Sequence, residues 1–298
     1  MSIHGILGEQ TTDYPTHYSP ETLYPIARSM GRDVIGCQDD RLAVGVDWWH
    51  AFELSWLTPQ GISQVAMARF SIPASSPFIV ESKSLKLYLN SLNFTEFASW
   101  HAVETQIAAD LSTCLQAEVT VKLFALDDAP SLLITEPSGI GIDEALADSQ
   151  EKVALSLHPD ASLLLATDDR PLNSEAQQAL SSQMQAGEAV SFYSNLLRSN
   201  CPVTNQPDWG TLSVTMTGMN SEHPIYAANI LRYILSFRQH NGFHEQCVEQ
   251  IFTDLSQYYQ PETLMVRAWY TRRGGIDINP CRVSDMSLLP TPSRLIRQ

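Results

Sequence analysis

The feature that most constrains this chain is that it repeats itself. Ile107-Ala-Ala-Asp110-Leu111-Ser112 returns as Ile251-Phe-Thr-Asp254-Leu255-Ser256, a shift of 144 residues, and the same shift pairs Gln116 with Gln260 and Glu118 with Glu262. Upstream, with one residue of slippage, Tyr88 pairs with Tyr233, Ser91 with Ser236 and Val103-Glu104 with Val248-Glu249. Each identity is weak alone, but their order and near-constant offset indicate an ancient duplication.

Both copies carry the same periodicities. Val65–Ile72 and Leu212–Met219 are strand-like stretches. Each is followed by helical spacing, Leu85, Tyr88, Leu89 and Leu92 in one copy and Ile230, Tyr233, Ile234 and Phe237 in the other. A second helix carries Val103, Ile107 and Leu111, or Val248, Ile251 and Leu255, and strands return at Val119–Phe124 and Leu264–Tyr270. The pattern predicts an α+β fold of two ββαα-plus-strands modules, each an antiparallel sheet with its helices on one face. Residues 41–135 and 189–298 are the expected modules, with 1–40 an N-terminal arm and 136–188 a connector. A chain of 298 residues with 44% hydrophobic and 17% charged residues has the apolar content for cores of this size.

Charge narrows the partners. The 18 basic and 33 acidic residues leave −15 overall, a balance that repels a phosphate backbone, so direct nucleic-acid binding is not expected. The acid concentrates between Glu136 and Val190, and a local basic pocket elsewhere stays open. No apolar run approaches the roughly 18 to 20 residues of a bilayer span. The first residues lack a basic region followed by an apolar one, so a cytoplasmic protein without membrane contact is expected. Cys37, Cys114, Cys201, Cys247 and Cys281 are odd in number and widely spread, without a C-x-x-C pair, which argues against a disulfide scaffold or a zinc knuckle. His240 and His244 have helical metal-site spacing, but Asn241-Gly242 breaks a helix between them and no third ligand is near; no metal is expected. Gly139-Ile-Gly141 lacks the third glycine of a dinucleotide fingerprint.

What differs between the copies carries the chemistry. Only the first has Glu81-Ser82-Lys83-Ser84-Leu85-Lys86; only the second has Cys201, Asp208, His244-Glu245 and Arg272-Arg273-Gly274-Gly275. Reactive residue types divided this way suit a single site shared by two once-equivalent halves. Cys201 lies in a loop rich in proline and polar residues, where a thiolate nucleophile can be displayed, although a buried structural cysteine would look the same. Asp208 sits beside Trp209, whose indole would raise a carboxyl pKa and keep a proton available; a turn aspartate is the plainer reading. Ser82 is the expected N-cap of a helix whose free N–H groups attract anions, with Lys83 and Lys86 on one face; two solvated lysines after an ordinary cap would read alike. Glu81 and Glu245 could accept hydrogen bonds from a flat heterocycle or be surface carboxylates. The two arginines before two glycines suit phosphate recognition or a strand end.

Four stretches, ESKSLKLYL at 81–89, SNCPVTNQPDWG at 199–210, SFRQHNGFHEQC at 236–247 and YTRRGGIDINP at 270–280, together resemble the NADPH-dependent 7-cyano-7-deazaguanine reductases of queuosine biosynthesis in their two-module form. The resemblance implies a tunnelling fold, in which ββααββ units associate into barrels with heterocycle sites at the seams, and a homodimer of two-module chains. It implies Cys201 as the nucleophile that forms a covalent thioimide with the nitrile carbon, and Asp208 as the proton donor. It further implies Val80, Glu81, Ser82, His244 and Glu245 as the purine-binding set, and Ser82, Lys83, Arg273 and Gly274 as the positions that hold NADPH, two molecules of which serve each turnover; roles for Lys86 and Arg272 are left open. Thiolate addition turns a poor hydride acceptor into a C=N group, and the intermediate imine calls for a closed site. A zinc-dependent purine or pterin cyclohydrolase of the same fold would need a Cys/His ligand set that the sequence does not assemble. A non-catalytic heterocycle-binding relative would have lost reactive residues that here survive as one set.

Overall fold

A computed structural model describes residues 14–36, 40–127, 134–149, 152–154, 156–165, 174–219 and 224–298. Residues 1–13 and 37–39 of the expected arm, Cys37 among them, and parts of the expected connector lie outside this set. The N-terminal segment holds β1 (Pro25–Ala27) and α1 (Ser29–Val34). The first half follows as β2 (Gly45–Leu57), β3 (Ser63–Pro73), β4 (Phe78–Val80), α2 (Ser82–Ser91), α3 (Trp100–Leu115) and β5 (Thr120–Phe124). Short strands β6 (Ile134–Thr135) and β7 (Ile140–Gly141) and helix α4 (Glu175–Gln185) lead to the second half. That half is β8 (Val190–Asn200), β9 (Pro207–Thr217), α5 (Ala227–Ser236), α6 (His244–Tyr259), β10 (Thr263–Tyr270) and β11 (Ile276–Val283), with β12 (Arg294–Leu295) near the C-terminus.

The identities that betray the duplication have a physical purpose. In each half, a tyrosine on the first helix reaches an aspartate on the second: Tyr88 Oη donates to Asp110 Oδ2 at 2.6 Å, and Tyr233 Oη donates to Asp254 Oδ2 at 2.5 Å. Gln106 and Gln250 donate to the same carboxylates at 3.0 Å, and Ser91 and Ser236 donate to the carbonyls of Tyr88 and Tyr233 at 2.6 Å. The second-half link is buried and the first-half link partly so; losing one partner of the buried link strands the other. Both second helices end on a glutamine in the left-handed region, Gln116 at φ 52 and Gln260 at φ 44. The first strand of each half also carries a register irregularity, between Ala51 and Leu54 on β2 and between Ser194 and Leu197 on β8.

The halves do not form separate sheets. They join in one eight-stranded sheet of order β5-β3-β2-β11-β10-β9-β8-β7, antiparallel throughout except where β7 runs parallel to β8 at the edge. The joint is β11 against β2, with Ile278 opposite Trp49 and Ile276 opposite Ala51. Because Val266 faces Arg282 in the β10–β11 pair, alternation along β11 puts Arg282, Ile278, Trp49 and Val266 on one side of the sheet. Both helical pairs pack there: α2 and α3 over Trp49, Trp56, Phe70 and Ile72, and α5 and α6 over Phe192, Val214, Leu264 and Val266. On the opposite face the C-terminal residues close over the sheet: Arg267 and Trp269 donate to the carbonyls of Thr291 and Ser293, at 3.0 and 3.1 Å, and Gln298 donates to that of Tyr270 at 3.2 Å. Among the described residues no helix is long and apolar enough to cross a membrane.

Candidate active site

Cys201 opens the loop between β8 and β9. Its N–H donates to the Gln206 carbonyl at 2.9 Å and its carbonyl accepts from Asn205 N–H at 2.8 Å, a tight closure that holds Asn205 at φ 55, a conformation asparagine tolerates better than most residues. Pro202 pre-sets the turn after the cysteine. The folded loop aims donors at the sulfur. Burial raises the thiol pKa, but hydrogen bonds from the Thr204 side chain, from the N–H groups of Thr204 and Val203 and from Arg273 outweigh it, and the net shift is downward. A cysteine 9% exposed and held toward its thiolate form is suited to nucleophilic attack.

Asp208, the second residue of β9 and 4% exposed, sits between a guanidinium and an imidazole: Arg273 Nε lies 3.1 Å from Oδ1 and His244 Nε2 lies 3.4 Å from Oδ2. The expectation that Trp209 lies against this carboxyl is corrected. Successive strand residues point to opposite faces, and the Trp209 ring lies instead under Arg198 and Arg238, at 5.4 and 5.6 Å. Arg273 also donates to Gln206 Oε1 at 2.8 Å, which ties the β10–β11 turn to the Cys201 loop. That turn needs its two glycines: Gly274 and Gly275 stand at φ 55 and 74, as a two-residue hairpin connection requires. Arg272 lies over the Phe52 ring at 4.3 Å.

The start of α2 also departs from expectation. Glu81, not Ser82, is the N-cap; its carboxylate accepts from Lys83 N–H at 2.9 Å and Ser84 N–H at 2.7 Å, so these donors are already engaged. The longer glutamate side chain folds back on the turn that a serine at the next position was expected to cap. Val80 ends β4, buried; Ser82 begins the helix, half-buried; Lys83 is exposed. Lys86 turns toward the second half: a Cβ placed on Gly274 would stand 3.2 Å from its Cε. Its ammonium pKa is lowered by burial and then by Arg273, against the pull of Glu81, Asp208 and Cys201. The seam between the halves thus brings the first half's Glu81 and Lys86 to the second half's Cys201, Asp208 and Arg273.

His244 and Glu245 begin α6. Asn200 N–H donates to the His240 carbonyl at 2.8 Å and Gly242 N–H to the Asn200 carbonyl at 3.1 Å, which pins the segment before α6 to the end of β8, beside Cys201. The His244 imidazole packs on the Tyr270 ring with centroids 4.0 Å apart. Glu245 is 3% exposed, and its Oε1 has no hydrogen-bond partner. Burial, then the nearby Asp47, pushes its carboxyl up to about 7, against the opposing pull of His244 and Arg28. A buried acceptor left open beside an imidazole is suited to a ligand's N–H.

Several residues that shape this site escape a reading of sequence. Behind Glu245 runs a buried ionic network: Asp47 on β2 takes Arg28 and Arg282, both at 2.6 Å, and Glu249 on α6 takes Arg282 and Arg32, both at 2.8 Å. Nothing in the spacing of these five residues announces it. Thr204, Gln206 and Tyr270, by contrast, lie inside the stretches that singled out their neighbours. Among the described residues no group of three or more His, Cys, Asp or Glu could hold a metal ion, so the cyclohydrolase-like alternative finds no ligand set there.

Comparison with known proteins identifies relatives of the whole chain. Residues 14–123 match a family model described as nitrile reductase, 7-cyano-7-deazaguanine-reductase N-term, and residues 207–287 match one described as QueF-like protein. The chain is 74% identical over 299 residues to the NADPH-dependent 7-cyano-7-deazaguanine reductase of Psychrobacter cryohalolentis, 72% to that of Psychrobacter arcticus and 50% to that of Acinetobacter baumannii, covering 100% of each chain in all three cases.

Proposed function

The chain belongs to the NADPH-dependent 7-cyano-7-deazaguanine reductases, and we propose that it reduces the nitrile of 7-cyano-7-deazaguanine to the primary amine of 7-aminomethyl-7-deazaguanine at the seam between its halves, with Cys201 as nucleophile. The observation that carries this reading is the Cys201 thiol, buried yet held below its ordinary pKa and set in a loop that Arg273 ties to Asp208.

In this reading Cys201 Sγ adds to the nitrile carbon, one C–N π bond breaks, and the nitrogen takes a proton by way of Asp208, giving a thioimide. Glu81 and Glu245 accept hydrogen bonds from the ring N–H and amino groups, and with His244 and Val80 they fix the heterocycle over the sulfur. Conversion of a nitrile to a primary amine requires two hydrides, which two NADPH molecules, bound in turn, would supply one each. The basic end of the seam fits the phosphates of NADPH: Arg273 lies close enough to lower the Lys86 ammonium pKa, a repulsion an anion relieves, and Gly274 leaves room that a Cβ would fill. Ser82 and Lys83 complete that set from α2. Collapse of the reduced adduct returns the thiolate and leaves an imine, which the buried walls of the site keep from water.

Residues 41–135 and 189–298 serve as the two modules of this site, with 1–40 an arm and 136–188 a connector. The wider reading is a cytoplasmic homodimer that acts on the free heterocycle, without a metal and without direct contact with nucleic acid. The test is an intact-protein mass spectrum after mixing with 7-cyano-7-deazaguanine in the absence of NADPH. One adduct of the nitrile's mass, absent from Cys201→Ala and discharged by NADPH, is expected; full adduct yield from Cys201→Ala overturns the assignment.

A further inference from the structure

The N-terminal segment touches both halves of the seam at the residues that place the heterocycle site. On one side β1 pairs antiparallel with β4, Pro25 opposite Val80 and Ala27 opposite Phe78. Glu81 N–H donates to the Tyr24 carbonyl at 2.9 Å, and Tyr24 N–H donates to Ser84 Oγ at 3.0 Å. The start of α2 is thus hung on residues 24–27. On the other side α1 lies against α6. Arg32 forks onto Glu249, Nη2 to Oε1 at 2.8 Å and Nε to Oε2 at 3.1 Å, one helical turn beyond Glu245. Gly31 packs so tightly on Gln246 that an added Cβ would stand 2.4 to 2.6 Å from its side-chain atoms. Gln246 is the residue whose Oε1 accepts from Phe243 N–H at 3.1 Å and so fixes the first turn of α6, where His244 and Glu245 sit. Between the two ends, Arg28 is 3% exposed, and its guanidinium donates to Asp47 Oδ2 at 2.6 Å and to the Ser76 carbonyl at 3.0 Å.

We propose that this arm is a brace that sets the start of α6 against the start of α2, with Gly31 and Arg32 as positioning residues for binding of the 7-deazapurine nitrile. The proposal rests on the reading of Glu81, His244 and Glu245 as the groups that hold the heterocycle. Two groups from different halves, separated in sequence by more than half the chain, must keep a fixed spacing to clasp one flat ring. The sheet joins the halves beneath them, where His244 rests on Tyr270 of β10, but it makes no direct tie from one helix start to the other. The arm does, through a strand at one end and a helix at the other.

Gly31→Ala isolates the effect. Gly31 lies inside α1, where alanine favours the helix locally, so damage must come through the contact with Gln246. The experiment measures KM for 7-cyano-7-deazaguanine and for NADPH, with thermal midpoints, in Gly31→Ala, Arg32→Met, Gln246→Ala and the Gly31→Ala/Gln246→Ala pair. A rise of about tenfold in nitrile KM for Gly31→Ala, with NADPH KM within about twofold and an unchanged midpoint, is expected. Arg32→Met follows the same split. In the Gln246→Ala background Gly31→Ala adds nothing further, because the side chain it displaces is gone. Nitrile KM within about twofold of the parent in Gly31→Ala, or an equal rise in both KM values, overturns the brace. Glu245→Gln separates this failure from that of the site reading: if it leaves nitrile KM unchanged the site assignment falls, whereas if it raises nitrile KM while Gly31→Ala is silent only the brace falls.

Discussion

Arg273 reaches from the β10–β11 turn to set its Nε 3.1 Å from Asp208 Oδ1, while its Nη1 donates to Gln206 Oε1 in the Cys201 loop at 2.8 Å. One cation therefore serves the proton donor and the nucleophile of the proposed chemistry, and it stands among the residues that would meet the cofactor.

Replacing Arg273 by methionine removes one of the donors that hold the Cys201 thiol below its ordinary pKa, so the thiolate fraction at neutral pH falls. Adduct formation without NADPH is expected to slow by about three- to tenfold at pH 7 and to recover as pH rises, its profile displaced in the alkaline direction. Stopped-flow or quenched mass spectrometry across pH 6 to about 9.5 reads this directly. An unmoved profile would show that Thr204 and the loop N–H groups alone set the thiol.

Glu245 titrates near 7 because burial and the Asp47 charge oppose its ionisation. A carboxylate accepts hydrogen bonds from ring N–H groups with both oxygens, whereas its protonated form must donate with one, so acid opposes binding. Calorimetry with Cys201→Ala, which separates binding from covalent capture, is expected to show nitrile affinity falling about tenfold per pH unit below about 7 and levelling above it. The Glu245→Gln variant in the same background binds weakly with no break near 7.

Asp47 and Glu249 are both fully enclosed, and although burial raises their carboxyl pKa values, the guanidinium groups of Arg282, Arg28 and Arg32 bring the net shift downward. Lowered carboxyls contribute stability that is complete above their unfolded values near 4 and is lost as pH falls through the lower folded ones. Asp47→Asn leaves Arg28 and Arg282 sharing Glu249, and a loss of about 3–5 kcal/mol in denaturant unfolding is expected. The same variant removes a charge that raises Glu245, so its binding profile breaks at lower pH than that of the parent.

The paired helices make an internal control. Tyr233→Phe leaves Asp254 with Gln250 alone, and a loss of about 1–3 kcal/mol is expected from the stranded buried carboxylate. Tyr88→Phe costs less, because Tyr18 also donates to Asp110, at 2.7 and 2.9 Å. Equal losses in thermal or chemical unfolding would contradict the extra bond from the arm.

The sequence by itself determined the repeating unit and the residue types of the site. Tyr88 with Asp110 and Tyr233 with Asp254 are legible because each pair joins helices close in sequence, and apolar spacing along α2, α3, α5 and α6 likewise reports only its own neighbourhood. What only the tertiary structure decided lies at the joint: that Ile278 pairs with Trp49 and fuses two modules into one sheet, that Lys86 meets Gly274, that Glu81 rather than Ser82 caps α2, and that Arg273 and His244, not Trp209, flank Asp208. The buried charges Arg28, Arg32, Asp47, Glu249 and Arg282 belong to the same class. A side chain's place in periodicity fixes which face it shows, but an ion-pair network or a clasped ring needs faces from both halves of the chain brought together. That is set by strand pairing and packing, which leave no local pattern to read.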